Sequence, residues 1–139
     1  MNEQLISKET AILAEEKGFG IWSCVPSGCI LLLNKDTNEI ECLRDRQDYP
    51  YDNQTLLVTQ SLLQKWLREK HNLYICISAE FYKTGINHTL QILCYNPNLT
   101  ESDYYDNDKC TGMYGDNAEF ETYEDALEFG LQKALTFVP

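Results

Sequence analysis

Between residues 59 and 135, two segments with apolar residues at helical spacing enclose segments that alternate apolar and polar side chains. That order constrains the fold more than anything else in the chain. Residues 59–70 place Leu62, Leu63, Trp66 and Leu67 on one face at i, i+1, i+4 and i+5, the stripe of an amphipathic helix. Thr59 or Ser61 can cap it, and Ser61 with Gln64 has the spacing of a capping box. Asn72 suits the left-handed residue past its end. Residues 73–82 then alternate, with Leu73, Ile75 and Ile77 on one side and Tyr74, Cys76 and Ser78 on the other. After the turn Lys83-Thr84-Gly85, residues 86–95 alternate again, so the pair reads as an antiparallel hairpin. A short third strand is expected within residues 113–120, broken by Gly115-Asp116-Asn117. Thr122 caps a last helix, whose stripe is Ala126, Leu127, Leu131, Ala134 and Leu135. Gly130 lies on that stripe and costs about 1 kcal/mol of helix propensity against alanine, so a close approach to the sheet is expected there.

The first half is less strongly patterned. Residues 7–17 read as a helix capped by Ser7, with Ile12 and Leu13 as its apolar edge, Ala11 and Ala14 beside them, and Gly18 as its stop. Residues 21–25 and 29–33 read as strands separated by Pro26-Ser27-Gly28, and residues 40–43 return from a turn at 34–38 as a hairpin partner. Residues 44–53 read as a loop, the one plausible linker. The expectation is a single α+β domain over residues 1–139, with an N-terminal helix and hairpin (1–58) and a helix-three-strand-helix unit (59–139). An antiparallel sheet is covered on one face by the helices that start near Thr59 and Thr122. A chain of this length buries roughly 70% of its unfolded surface, enough for a core without metal or disulfides.

Charge is concentrated. Ten of the 22 acids but one of the 11 bases lie between Asn98 and Glu128, and the net charge is −11. Few, dispersed bases argue against binding nucleic acid or anionic membranes, both of which need Lys and Arg against phosphate. Basic protein partners remain. The N-terminus has no signal-peptide pattern, and the longest apolar run, residues 29–33, is too short to span a bilayer. The expected location is the cytoplasm. The six cysteines include no Cys-x-x-Cys pair and are sparse for a disulfide scaffold, so reduced, structural thiols are expected. The sequons at Asn53, Asn87 and Asn98 then carry no glycan.

Candidate sites each have a plainer reading. The loop residues Asp103, Tyr104, Tyr105, Asp106 and Asp108 invite a calcium reading, but with Asp106 first, Thr111 stands where Gly is required and Asn117 where Glu is required. They are better read as a solvated loop, and after that as a contact for a basic partner surface. His71 reads as a cation at a helix C-terminus and His88 as an exposed strand residue. Cys24-x4-Cys29 lacks the spacing of a redox motif, and Gly18-x-Gly20 follows a helix where dinucleotide binding needs a strand first. No catalytic, cofactor-binding or metal-ligating group is assigned. Trp66 reads as core.

Three segments carry a resemblance. Glu9-Thr10-Ala11 to Glu16-Lys17-Gly18-Phe19 fits ETAxLxxEKGF, Thr59-Gln60 to Trp66-Leu67-Arg68-Glu69-Lys70-His71-Asn72-Leu73 fits TQxxxxxWLRExHNL, and Thr122-Tyr123-Glu124-Asp125-Ala126 to Ala134-Leu135 fits TYEEAxExxLxxAL. The combination resembles a group of small uncharacterised proteins encoded by phages, prophages and mobile elements of gut bacteria. Val58 stands where that group often carries Pro. The resemblance implies a genomic setting, not a mechanism. The element order also resembles double-stranded-RNA-binding domains, but Thr122-Tyr123-Glu124-Asp125 puts acids where those domains need bases. The expected function is therefore a non-catalytic protein-interaction module that binds a host or phage protein with a basic surface, or a second copy of itself. The alternatives are an acidic mimic of nucleic acid that blocks a DNA-binding protein, and an enzyme with an unfamiliar site.

Overall fold

The computed structural model describes residues 4–20, 30–43, 53–94 and 112–139. The expected strand at 21–25 and most of the loop at 44–53 fall outside these residues.

Helix α1 (Lys8–Glu16) starts at Ser7, whose side chain accepts from the Thr10 N–H. It ends as its sequence dictates. Gly18 takes φ 93°, its N–H donates to the Glu15 carbonyl, and the Phe19 N–H reaches back to the Ala14 carbonyl at 3.0 Å. This paired motif satisfies carbonyls that the helix end leaves open. Its buried face is Thr10, Ala11 and Ala14, while Ile12 and Leu13 are half-buried. The apolar edge expected at Ile12 and Leu13 is thus rotated, because Thr10 has polar partners inside.

Strands β1 (Ile30–Asn34), β2 (Ile40–Leu43) and β3 (Gln54–Leu57) form an antiparallel sheet in the order β2-β1-β3. The sequence gives β3 no alternation, since all four of its residues are buried, and it was not expected. It takes the free edge of β1, pairing Leu31 with Leu57 and Leu33 with Thr55. The first half therefore closes its own sheet instead of extending the second. The stretch before α1 joins it: the Ile6 N–H donates to the Val58 carbonyl and the Gln60 N–H to the Gln4 carbonyl, each at 2.9 Å.

Helix α2 (Gln60–His71) is capped by Thr59, which accepts from the Leu62 N–H at 3.3 Å. Asn72 closes it at φ 54°. Ser61 is not the cap that the Ser61–Gln64 spacing suggests, because Thr59 takes that place and Ser61 lies inside the helix; the Gln64 amide donates to the Ile75 carbonyl at 3.2 Å. Leu63, Trp66 and Leu67 are buried, with the Trp66 ring edge-on to Phe19 at 5.1 Å.

Strands β4 (Leu73–Tyr82), β5 (Gly85–Cys94) and β6 (Gly112–Phe120) make the second antiparallel sheet, in that order. The expected break at Gly115-Asp116-Asn117 appears as a register shift inside a continuous strand, between the pairs His88–Phe120 and Leu90–Asp116. The extra residues are absorbed as a bulge. Helix α3 (Tyr123–Thr136), capped by Thr122, lies on the face carrying Leu73, Ile75, Leu90 and Ile92. A Cβ at Gly130 would stand 2.8 Å from Leu90 Cδ1 and 2.9 Å from Ile75 Cγ2, so glycine permits the close approach. The opposite face carries the exposed Tyr74, Cys76 and Gln91. The fold is α+β, and buried residues of both halves, including Trp66 and Leu131, form one core cluster.

Among the described residues, one cysteine departs from expectation. Cys76 and Cys94 are not disulfide-bonded, but Cys42 is. Low cysteine density argues against a disulfide framework but says nothing about one pair that the fold brings together.

Candidate functional site

The polar centre is Glu128, which the sequence reading passed over. Its Oε1 accepts from the Ser7 N–H at 2.7 Å and the Thr10 hydroxyl at 2.5 Å, and its Oε2 accepts from the Gln60 amide at 3.0 Å. One carboxylate therefore ties α3 to the first turns of α1 and α2, where two helix dipoles favour negative charge. Burial alone would raise its pKa, but the hydrogen bonds from Thr10, Gln60 and Ser7 prevail and hold it below its ordinary 4.5. With its donors inside the protein, the carboxylate is a clamp between helices. A signal did exist, because Glu128 sits one helical turn from Leu131 on the buried side; only its partners were invisible.

The second notable region is the distal end of the β4–β5–β6 sheet, beyond the helices. The alternation that buries Leu73 and Ile75 continues to Ala79 and Phe81 on the same face, but nothing among the described residues covers them. Phe81 is 78% exposed and its cross-strand partner Ile86 48%. Beside them stand His88 and Tyr123, ring centroids 6.4 Å apart. His88 is half-buried with its Nδ1 enclosed, not exposed as expected, because it lies on the helix side next to the start of α3. The other face of this end is acidic. The Tyr82 hydroxyl donates to Glu80 at 2.5 Å and to Glu119 at 3.5 Å, and the Asn87 amide donates to Glu119 at 2.8 Å. The hydrogen bond to Glu80, with that carboxylate's charge and Glu119 behind it, pushes the Tyr82 phenol up to about 12. It stays a proton donor throughout the physiological range. Glu121, Glu124 and Asp125 are exposed where α3 begins.

A third feature is an open apolar groove of about 400 Å³ between the start of α1 and the edge strand β2. Leu33, Ile40 and Leu57 floor it, and Lys8 is the one titratable residue in its lining among the described residues. The Lys8 ammonium donates to the Lys35 carbonyl at 2.7 Å and to Asn38 Oδ1 at 2.9 Å, tying α1 to the β1–β2 turn.

The sequence-assigned contact residues Asp103, Tyr104, Tyr105, Asp106 and Asp108 lie outside the described residues, and the calcium-like spacing that starts at Asp106 ends within strand β6 at Asn117. His71 is not simply a helix-end cation. Its ring meets Trp66 edge-on at 4.6 Å, and burial lowers its pKa from 6.5, which favours the neutral ring at pH 7. Among the described residues no three His, Cys, Asp or Glu side chains are placed to hold a metal ion. None of their helices is long and apolar enough to cross a membrane. No family model, curated protein or solved structure matches the chain.

Proposed function

We propose that this protein is a non-catalytic interaction module whose contact surface is the distal end of the β4–β5–β6 sheet. One observation carries the reading. The core-facing side of β4 and β5 runs on past the helices and leaves Phe81 78% exposed opposite Ile86. Single exposed apolar residues are ordinary, but an adjoining cross-strand pair, followed on the same face by His88 with the Tyr123 ring near it, is the kind of patch that a partner covers. The carboxylates of Glu80 and Glu119 on the reverse face, with Glu121, Glu124 and Asp125 at the head of α3, favour a partner with a basic rim around an apolar anchor. The net charge of −11 supports the same sign of partner and speeds its approach.

The resemblance to proteins of phages and mobile elements supplies the setting for this proposal, a host or phage protein as the target. Cytoplasmic placement belongs to the proposal too. The thiols of Cys76 and Cys94, outside any disulfide, fit it, whereas the disulfide at Cys42 fits a more oxidising compartment. Trapping thiols by alkylation as cells are opened decides between the two.

The test is selection from a random peptide library displayed against the immobilised protein. The expected result is enrichment of peptides rich in both basic and apolar residues, whose binding is lost with Phe81→Ser and weakened by raised salt. Enriched peptides that bind Phe81→Ser equally well would remove the distal end from the account.

A further inference from the structure

The distal end also presents an unpaired backbone edge, and its phase can be worked out. β4 is the outer strand of its sheet, and the two-residue connection Lys83-Thr84 joins it to β5. In a hairpin with such a loop, the flanking residues, here Tyr82 and Gly85, exchange hydrogen bonds, and bonded pairs then recur at every second residue. Tyr82, Glu80 and Ser78 therefore direct their backbone groups inward to β5. Phe81, Ala79 and Ile77 direct theirs outward. An independent contact gives the same phase: the Ile75 carbonyl, two further along the outward set, accepts from the Gln64 amide of α2. Helix α2 thus guards the edge at Ile75. From Ile77 to Phe81 no strand pairs with the outer edge among the described residues, and the outward-facing Ile77, Ala79 and Phe81 make no side-chain or turn hydrogen bond among them.

Resting on the interaction reading above, we propose that the partner binds by adding a strand to the outer edge of β4 between Ile77 and Tyr82. The occupant is an extended segment of another protein that alternates apolar and basic residues. The alternation follows from the two faces of β4. An added strand places every second side chain beside Ala79 and Phe81, on the side shared with the core, and the others beside Glu80, on the side where Glu119 adds a second carboxylate. Main-chain bonds to Ile77, Ala79 and Phe81 supply affinity, and the two faces supply selectivity. A second copy of this chain fits less well. Edge-to-edge pairing of two β4 strands would bring Glu80 of each chain to one side of the joined sheet, where like charges repel.

The experiment uses the full chain and a short blocked peptide alternating valine and lysine. It is compared with a peptide of the same composition in two blocks and with one alternating valine and glutamate. Only the valine–lysine alternation is expected to bind measurably. N-methylation of one alternate set of its amides should weaken binding by about tenfold or more, since each lost backbone bond is worth about 1 kcal/mol. Methylation of the other set should leave binding within about twofold. Ala79→Pro should weaken the unmodified peptide similarly without disturbing β5, because the Ala79 N–H points away from that strand and proline is tolerated on edges. If Ala79→Pro does not fold, the two methylated peptides decide the matter on the unaltered protein. Equal sensitivity of both methylated sets, or equal binding of the block peptide, overturns strand addition. If that binding still requires Phe81, the interaction surface stands and only its mode is wrong. If neither lysine peptide binds in a Phe81-dependent way, both proposals fall.

Discussion

The two ends of the β4–β5 hairpin carry the same alternation, yet have opposite fates. At the near end Leu73 and Ile75 meet Leu90 and Ile92 beneath α3, where Gly130 allows the helix to sit directly on their methyl groups. At the far end Phe81 and Ile86, in the same register and on the same face, project beyond the helices. Burying a phenylalanine side chain contributes roughly 1.5–3 kcal/mol. On the interaction reading proposed above, the contribution left unused at Phe81 is one that a partner recovers. Local sequence therefore sets the faces of a sheet, and the reach of the covering helix sets which part of a face is core.

This contrast can be broken most forcefully at the near end. Leu131 is fully buried on α3, so Leu131→Ala should cost about 3–4 kcal/mol, from lost transfer energy and the cavity left behind. Urea unfolding would show it as a lower midpoint at nearly unchanged slope. A loss below about 1 kcal/mol would mean that the near end is not the core.

The clamp that holds α3 in place comes next. Glu128→Leu would leave the Ser7 N–H, the Thr10 hydroxyl and the Gln60 amide without their acceptor, at a cost of about 2–3 kcal/mol. The clamp also has a pH signature. The Glu128 pKa is lower folded than unfolded, so its contribution is fully present above the unfolded value and is lost as pH falls through the folded one. Glu128→Gln should remove that part of the acid limb. An identical loss of stability below the ordinary pKa of 4.5 in both proteins would deny Glu128 this role.

Gly130→Ala probes the separation between helix and sheet. The added methyl gains about 1 kcal/mol of helix propensity but crowds Leu90 and Ile75 at under 3 Å. Overpacking costs about 1–3 kcal/mol, so a net loss of about 1 kcal/mol is expected by thermal unfolding. A more stable variant would show that the helix has room to lift away from the sheet.

The smallest effect belongs at the far end. Phe81→Ser should change stability by no more than about 0.5 kcal/mol, as for exposed sites generally, while removing peptide binding. A loss as large as that at Leu131 would make the distal end part of the core.

What the sequence made legible follows from which forces act locally. Caps and stops at Ser7, Gly18, Thr59, Asn72 and Thr122 are contacts within a few residues, and the structure places each where its chemistry indicates. The alternation of β4 and β5 and the stripe of α3 were equally readable, as was the close approach at Gly130. β3 was hidden because a strand buried on both faces has no period. The Ser61–Gln64 capping-box spacing misleads because Thr59, two residues earlier, takes the cap. The rotated face of α1 and the role of Glu128 were hidden for one reason, since the hydrogen bond between the polar Thr10 and Glu128 spans 118 positions. The exposed end of the hairpin was visible as alternation, but no pattern in the chain states where a helix on a sheet runs out. The acidic sector was legible as charge, and its loop residues from Asp103 to Asp108 lie outside the described structure.

Amide hydrogen exchange along β4, read residue by residue with and without the alternating valine–lysine peptide, tests the central claim most directly. In the free protein the Ser78, Glu80 and Tyr82 amides should be protected by β5, and the Ile77, Ala79 and Phe81 amides should exchange quickly. Bound peptide should slow Ala79 and Phe81 and leave the helices unchanged. Saturating peptide that slows neither amide, or slows a different surface instead, would contradict the account.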